Sequence, residues 1–550
     1  MVKRLWLLLD ARIRGVHEAA YVVAAFALLS QILALLRDRA FAHAFGASAI
    51  LDAYFAAFKV PDLLFAIITV TVSSAALVPL LSKLDHAQQG RYLSSVLFFF
   101  GVLAVPVSIA LYIVIPTLLP YMLPGFNALL LESTTALSRI MLLQPILLGV
   151  SSIVASIVQF ERRFVLFALA PLFYNGGIIL GVLILYPLFG LTGLAWGVVI
   201  GALLHLCIQV VPILNRVPFT VPGVGLVEMF LAVVVPSVPR ALALFSNQGV
   251  MIMFAFLASR AGAGALSAVT FAQNLHAVPL AVIGVSYAAA LFPALAELRT
   301  SDREKIAREL WASVRHVLLW MLVAATFLIV LRAQFVRVIL GSGEFSWDDT
   351  RLTAALLALF AASLAPQAIL LLFSRAYYAL ERGSVAIVVN VSAAIGSIIV
   401  SLAGVYLFRS EVLVRYFVES LFKISDVPNA EVIMLAAGYA VSMWVALLVF
   451  AWYVWRDIGP DKELVRSIGN TFAAAVIGSA GAYLGLQLLS GVDQNTFLGI
   501  FIQGFGAGVL GMIVAISILV LLRSQELRDI VSIFNARLRI GAITDDVHVD

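Results

Sequence analysis

Six charged residues lie between residues 37 and 62, within a largely apolar stretch that runs from residue 30 to residue 84. They are Arg37, Asp38, Arg39, Asp52, Lys59 and Asp62. An ionised side chain near the centre of a bilayer costs at least ~2.5 to 3.5 kcal/mol on insertion scales, so such residues usually face a polar cavity or one another. Arginine offers a fork of donors and lysine a compact charge, and both suit an anionic head group such as a diphosphate. The stretch therefore predicts a transport pathway in which Arg37 and Lys59 bind an anion.

The turn at Phe45-Gly46-Ala47 is expected to bring these two cations to a similar depth. Arg37 lies nine residues before Gly46 and Lys59 thirteen after it, which is about 13 and 20 Å along helices that rise 1.5 Å per residue. Pro61 frees a backbone carbonyl one turn earlier and either kinks the second helix or serves packing alone. In an alternative interpretation, Arg37 only forms an internal ion pair with a nearby aspartate. The candidates are Asp38, Asp52 and Asp62.

The composition excludes a soluble globular protein. The 550 residues are 63% hydrophobic and 12% charged, whereas soluble domains are roughly 45 to 50% apolar and ~25% charged. Apolar runs of about 20 residues or more predict an all-α polytopic membrane protein rather than a β-barrel. The formal net charge of +5 does not indicate a nucleic-acid partner, because the basic residues lie in short loops between the runs.

Fourteen apolar runs reach the length of a transmembrane helix. Their approximate bounds are 18–45, 49–83, 93–120, 134–160, 164–187, 192–214, 229–259, 264–297, 310–340, 350–381, 384–408, 431–456, 467–490 and 496–523. Of the 35 Lys and Arg residues, 22 fall on the side that contains the N-terminus and 9 on the other side. Because basic residues in short loops favour the cytoplasm, both termini are predicted to be cytoplasmic.

Short similarities between distant runs indicate an internal repeat. Residues 74–84, which include Pro79 and close the second run, resemble residues 288–298, which close the eighth. A repeat of six helices keeps its orientation, so it predicts two parallel six-helix lobes with the substrate route between them. The predicted organisation has five parts. They are a cytoplasmic interfacial segment (1–17), an N-lobe (18–216), a C-lobe (217–457), two further helices (458–523), and a cytoplasmic amphipathic helix with its tail (524–550).

Small residues and one cysteine add detail to this organisation. The two further helices carry Gly481-xxx-Gly485 and Gly504-xxx-Gly508, patterns that allow close helix contact or reflect ordinary packing. The single cysteine, Cys207, rules out a disulfide framework and is expected to be a core residue. After Arg523, apolar residues on one helical face predict an amphipathic helix at the membrane interface. They are Leu527, Ile530, Val531, Phe534 and Leu538.

No catalytic or cofactor-binding pattern is visible. The segment Gly341-Ser342-Gly343-Glu344 lacks the lysine of a phosphate loop, and the seven histidines are scattered. We therefore expect a transporter rather than an enzyme, with no metal, cofactor or ATP site, driven by an ion gradient or the membrane potential. Further cavity candidates are Asn274, Arg240 and Arg375, although both arginines lie near helix ends, where they can instead reach the head groups. Candidate kink or gating positions are Gly46, Pro61 and Pro79.

Several motifs, taken in order, resemble those of one family. They are Arg37-Asp38, Phe45-Gly46-Ala47, Asp52-Ala53-Tyr54-Phe55, Phe58-Lys59-Val60-Pro61-Asp62-Leu63-Leu64, Leu123-Pro124-Gly125-Phe126, Pro171 with Asn175, Gly193-Leu194-Ala195-Trp196-Gly197, Pro239-Arg240 and Arg375-Ala376-Tyr377-Tyr378-Ala379-Leu380. Together they resemble the MurJ (MviN) lipid II flippases of the MOP exporter superfamily, and the resemblance covers nearly the whole chain.

The resemblance implies two six-helix lobes around a cationic cavity, two C-terminal helices that line a groove for the polyprenyl tail, and alternating access. It also implies export of lipid II, the polyprenyl-diphosphate-linked precursor of peptidoglycan, across the bacterial inner membrane. The partners it implies are membrane lipids and cell-wall synthesis proteins, and the expected state is a monomer. Four positions lack the arginine that is usual in such cavities, so Arg37 and Lys59 are the cations that remain. The four positions are Gln31, Phe65, Ala66 and Asn274.

These departures keep three other functions open. The first is a flippase for another lipid-linked oligosaccharide. The second is a MATE-like small-molecule antiporter with carboxylates as ion sites, although the basic pair and the Phe58-Lys59-Val60-Pro61 signature count against it. The third is a transport-dead membrane scaffold that docks a partner through the loop 409–430 and the C-terminal helix.

Overall fold

The computed structural model describes most of the chain. The described residues are 16–72, 77, 81, 84–210, 226–296, 298, 302–494 and 496–532. Within these ranges the chain is almost entirely helical and has no β-strand, which confirms the all-α fold class. Pro79, the segment up to residue 15 and the tail after residue 532 lie outside the described residues.

The helices are numbered here in chain order. The first ten are α1 Val16–Phe45, α2 Ala49–Ala57, α3 Lys59–Val72, α4 His86–Met122, α5 Ala128–Met141, α6 Leu143–Phe160, α7 Phe164–Leu180, α8 Tyr186–Phe189, α9 Leu191–Val210 and α10 Leu226–Ala261. They are followed by α11 Ala265–Pro279, α12 Ser286–Ala296, α13 Arg303–Val330, α14 Arg332–Ile339, α15 Trp347–Ala362, α16 Leu364–Ala379, α17 Gly383–Ser410, α18 Val412–Phe422, α19 Ile433–Asp457, α20 Leu464–Leu488 and α21 Phe497–Leu521. Two π-helical turns continue α7 and α11. They are Gly181–Leu185 and Leu280–Val285.

Every one of the fourteen apolar runs overlaps at least one of these helices. By length and hydropathy, ten described segments can cross a membrane, or eleven if α15 and α16, bent by 41°, form one broken span. The chain is therefore a multi-span membrane protein. The count of fourteen spans, the two-lobe layout and the domain boundaries stay predictions.

The described chain forms two compact units. The first comprises Met1–Asn274, Ile339–Thr353 and Asn390–Leu435. Within it, α1 packs along α7, α3 along α10, and α7 along α9. Glycines allow α7 and α9 to approach closely, since a Cβ atom on Gly177 would lie 2.3 Å from the Cα atom of Gly201. Small residues allow such close backbone approach between membrane helices.

The second unit comprises Leu275–Val338, Ala354–Val389 and Ala436–Asp550. Here α20 packs along α21, and α13 packs along both α20 and α16. The pattern Gly481-xxx-Gly485 does bring helices together, because a Cβ atom on Gly485 would lie 2.8 Å from the Cα atom of Ala507 on α21. Gly504-xxx-Gly508 faces a different neighbour, since Gly504 lies against Gln334 of α14.

One residue near a helix end, Cys207, differs from the sequence-based prediction. Cys207 is exposed and not a core residue, because it lies on another face of α9 than the glycines that contact α7.

After Arg523, residues 525–532 are helical. Leu527 and Ile530 of this helix pack against an apolar cluster of the protein itself. Burial alone would raise the pKa of Glu526, but hydrogen bonds from Ser467 and Ser524 lower it.

Candidate functional site

Arg37 is held by two neighbouring side chains of the first unit. Its Nε and Nη2 atoms donate to Oδ1 of Asp38 at 3.0 and 2.8 Å, and Nη1 donates to Oδ1 of Asn175 at 3.0 Å. Asp38 also accepts a hydrogen bond from Nδ2 of Asn274 at 2.9 Å. The Arg37 side chain stays 20% exposed, whereas Asp38 is buried. We call these four residues the Arg37 cluster.

Packing of α1 along α7 explains how the cluster forms. Arg37 and Asp38 lie on α1, and Asn175 lies 138 residues later on α7. The Nδ2 atom of Asn175 donates to the carbonyl oxygen of Pro171 at 3.1 Å, one turn earlier. This bond leaves Oδ1 of Asn175 as the acceptor for Arg37. The Arg37–Asp38 ion pair matches the alternative predicted from the sequence, yet the Arg37 side chain remains partly exposed.

Lys59 and Asp62 form a second pair of charges on α3. They lie three residues apart, so they share a helix face, and they interact electrostatically. In the described chain, no ion pair within 4 Å and no side-chain hydrogen bond holds the Lys59 ammonium group. Tyr174 interacts electrostatically with both Asp62 and Arg37. Tyr174 therefore lies near one charge of each pair, and the similar depth of Arg37 and Lys59 stays a prediction.

Asp52 has a different environment from the other charged residues. Its Oδ1 atom accepts hydrogen bonds from the backbone N and the Oγ of Ser267, at 2.7 and 2.6 Å, and Oδ2 accepts one from the backbone N of Gly264 at 2.7 Å. The side chain is buried. A carboxylate in this position satisfies the free N–H groups at the start of α11. Asp52 links α2 to α11, and its role toward a substrate stays a prediction.

Pro61 and Gly46 both alter the backbone beside the charged residues. Pro61 has no N–H group, so the carbonyl of Ala57 lacks its usual helical partner. Oγ of Ser138 on α5 donates to that carbonyl oxygen at 3.0 Å, which fits the predicted freed carbonyl. Gly46 has φ +60°, and a Cβ atom there would lie 2.5 Å from the carbonyl oxygen of Glu344. Only glycine fits this turn without strain; gating at either position stays a prediction.

The remaining predicted cavity residues are less well placed. Arg375 on α16 is exposed, and its guanidinium lies over the ring of Phe292 at 5.9 Å within the second unit. Arg240 belongs to α10, but its side chain lies outside the described residues. Their roles in the cavity stay predictions.

The second unit contains an apolar pocket between α13, α14 and α21. The cavity has a volume of about 360 Å³, within the range of small-ligand pockets. Its lining contains one polar side chain, that of Gln334. The other lining residues are Phe327, Leu331, Phe335, Val338, Phe501, Gly504, Phe505, Gly508, Val509 and Met512. Phe501 and Phe505 stack with ring centroids 5.5 Å apart. We call this cavity the α21 pocket.

Several of these residues were not predicted from the sequence. In the sequence, Asn175 is only part of a motif, and its contact with Arg37 depends on the packing of α7. No sequence pattern distinguishes Tyr174. The α21 pocket is lined by α13, α14 and α21, and a single Gln334 in apolar surroundings gives no sequence signal for it. The groove expected along the last two helices stays a prediction.

Comparison with known proteins decides the family. The family model described as "Lipid II flippase MurJ" matches residues 41–505, which is most of the chain. This chain belongs to the MurJ lipid II flippase family. Two MurJ relatives cover most of it. A "Probable lipid II flippase MurJ" of Rhizobium meliloti is 26% identical over 487 residues, 84% of this chain and 85% of the relative. The "Lipid II flippase MurJ" of Burkholderia cenocepacia is 27% identical over 414 residues, 72% and 78% of the two chains.

Solved structures support the MurJ fold. A structure described as "Lipid II flippase MurJ, inward closed conformation" has a TM-score of 0.72 at 20% identity and covers 93% of this chain and 100% of that one. An inward-facing multidrug resistance MATE family transporter of the MOP superfamily has a TM-score of 0.63 at 16% identity, covering 80% and 98%. Identities this low show the shared fold alone.

Proposed function

We propose that this protein is a transporter that moves lipid II, a polyprenyl-diphosphate-linked glycan, from the inner to the outer leaflet of the bacterial inner membrane by alternating access. One observation carries the proposal: a chain of the MurJ family keeps a partly exposed arginine inside a polar cluster of its membrane helices. An ionisable residue in that position has a functional role by default.

The Arg37 cluster suits a diphosphate. An arginine has five N–H donors, and within the described residues the three hydrogen bonds of Arg37 leave two donors for a ligand. Phosphate oxygens accept such donors in pairs. Lys59 adds a compact cation that no described contact neutralises at close range. Hydrogen bonds to charged groups contribute about 1.5 to 3 kcal/mol each, so two of them provide useful affinity.

The α21 pocket suits part of a prenyl chain. Its lining is aromatic and aliphatic, with Gln334 as the only polar side chain among the residues that line it. Burial of each methylene group contributes about 0.8 kcal/mol. Polar head groups and water gain nothing from such a surface, so an extended hydrocarbon is the ligand that fits.

The departures from the usual arginines predict weaker binding of the head group. Asn274 is neutral and already donates to Asp38. Ala66 is buried and apolar, and Phe65 precedes it on the same helix. We therefore propose lipid II as the substrate, bound with fewer cations than usual in the family.

The orientation is part of the proposal. Fourteen spans with both termini in the cytoplasm follow from the excess of basic residues on one side of the membrane. Single cysteines in a Cys207→Ser background test it: a thiol at Asn127 should react with an impermeant reagent from outside, and one at Lys462 only from inside. The reverse pattern at both positions would overturn this orientation.

Genetic complementation tests the function. Cells depleted of their own lipid II flippase should grow when they express this protein. Arg37→Ala and Lys59→Ala should each abolish growth while the protein remains in the membrane at normal levels. The matched control is Arg382→Ala, because Arg382 is half exposed and pairs with Asp457 in the second unit. Normal growth with both cavity variants would refute the proposed role of these cations.

A further inference from the structure

A short helix between α17 and α19 presents an apolar face that nothing in the described chain covers. α18 carries five large apolar side chains that are 57 to 80% exposed. They are Val412, Leu413, Tyr416, Phe417 and Leu421. Their spacing places them on one half of the helix, whereas Val418 and Glu419 on the other half are buried. An exposed apolar face of this kind normally marks an interaction surface.

Contacts within the first unit fix the position of α18. Arg409, just before the helix, pairs with Glu431, which follows the segment. After the helix, Arg351 pairs with Asp426 and donates to the carbonyl oxygen of Lys423. The apolar face is therefore presented outward by a braced segment, and its exposure is a property of the fold.

The apolar face continues the exposed apolar surface of α17. α17 is a membrane-crossing segment, and its last turns expose Tyr406 and Leu407. α18 begins two residues after α17 ends at Ser410. Its apolar face thus starts at the end of a helix that is long and apolar enough to cross a membrane, where the edge of the hydrocarbon layer is expected. Amphipathic helices with aromatic residues lie at the boundary between the head groups and the acyl chains of a membrane.

The charges on α18 and beside it balance, because Glu411 and Lys423 at its two ends carry opposite charges and the other charged residues form ion pairs. Arg415 pairs with Glu419 one turn later at 2.8 Å, and Arg409 pairs with Glu431. Binding to anionic lipid needs an excess of basic residues near the surface, which these pairs do not provide. The chemistry of the face therefore fits the boundary between head groups and acyl chains of any lipid.

We propose that α18 lies in the head-group layer of the membrane and binds the lipid surface with its apolar half, independently of lipid charge. The orientation proposed above makes this the outer leaflet. The helix would hold the end of α17, and the residues braced to it, at a fixed depth in the membrane. This role does not depend on which substrate the protein transports.

Spin-label accessibility in the full-length protein tests the proposal. Single cysteines are introduced at Phe417 and, separately, at Leu413 in a Cys207→Ser background, labelled with a nitroxide and reconstituted into phosphatidylcholine nanodiscs. The lipid control is Ile399→Cys on the exposed surface of α17, and the water control is Ser425→Cys in the exposed loop after α18. Collision rates with oxygen, which enters lipid, are compared with those of a water-soluble nickel chelate.

The expected result is that labels at 413 and 417 resemble the label at 399, with oxygen collisions several-fold above nickel collisions. The same ratio is expected when anionic phosphatidylglycerol is added. If the 413 and 417 labels match the 425 label, the helix lies in water and the proposal is wrong. A ratio between those of the 399 and 425 labels, closer to that of the 399 label, also supports the proposal, because the head-group layer is shallower than the middle of α17. If the 413 and 417 labels are accessible to neither reagent, another protein surface covers the face, which also overturns the proposal. Two labelled positions guard against a variant that fails to fold.

Discussion

The Arg37 cluster is held together by directional, charged hydrogen bonds, whereas the α21 pocket has one polar side chain, Gln334, in its lining. In the first region a few polar atoms make all the hydrogen bonds, and Asp38 and Asn175 already accept three of those that Arg37 can donate. In the second, aromatic and aliphatic groups share the contact surface. The two regions therefore suit the opposite ends of an amphiphilic lipid.

This difference determines how each region responds to substitution. Removing one partner of a buried charge leaves the other unpaired, which costs far more than the loss of one apolar contact. An apolar pocket loses affinity in proportion to the area that is no longer buried. Single changes should therefore disable the Arg37 cluster and only weaken the α21 pocket.

Breaking the Arg37–Asp38 ion pair should have a larger effect than a single change in the α21 pocket. In Asp38→Ala, Arg37 keeps its charge but loses its buried partner, which costs about 3 kcal/mol, at the lower end for such pairs because the arginine is partly exposed. We expect a clearly lower midpoint of thermal unfolding for the purified protein in detergent micelles.

The matched control for this variant is Asn175→Ala. It removes one hydrogen bond from the same guanidinium and should cost only about 1.5 kcal/mol. If both variants lowered the midpoint equally, the charge of Asp38 would not be what stabilises the cluster.

Filling the α21 pocket should have a smaller effect that depends on the lipid chain. A Cβ atom on Gly508 would lie 3.5 Å from Leu331, an ordinary contact, so Gly508→Leu can enter the cavity without moving the backbone. Displacing two or three methylene groups of the ligand loses about 2 kcal/mol, or roughly 30-fold in affinity. Binding of full-length lipid II should fall by that factor, while a short-chain analogue binds as before.

Gly469→Leu on α20 is the control for this substitution, because a Cβ atom there meets nothing within 4 Å. It should bind both lipids normally. Equal losses for the long and the short chain in Gly508→Leu would show that the pocket does not hold the tail.

The sequence predicted the chemistry of the site better than its contacts. Buried charges in apolar runs already indicated paired ions, and the Arg37–Asp38 pair is local in the chain. The contact of Arg37 with Asn175 spans 138 residues, so it depends on helix packing that no local pattern encodes. Asp52 illustrates the same limit. It was predicted as a cavity residue, and in the structure it accepts hydrogen bonds from the start of α11, more than 200 residues later in the sequence.

The fold was predicted to a similar degree. Hydropathy located the helices, because a bilayer requires long apolar segments. It could not show that Gly504 faces Gln334 of α14 and Gly508 faces Leu331 just after α13, since a pattern of small residues indicates a close contact without identifying its partner.

The central claim is that the Arg37 cluster binds the diphosphate of lipid II with fewer cations than usual. Native mass spectrometry of the purified protein with lipid II tests it directly. We predict measurable binding to the unchanged protein, tighter binding to Phe65→Arg and greatly reduced binding to Arg37→Ala. Equal lipid II binding with and without Arg37, or no lipid II binding to either the unchanged protein or Phe65→Arg while another polyprenyl-diphosphate glycan binds, would contradict the claim.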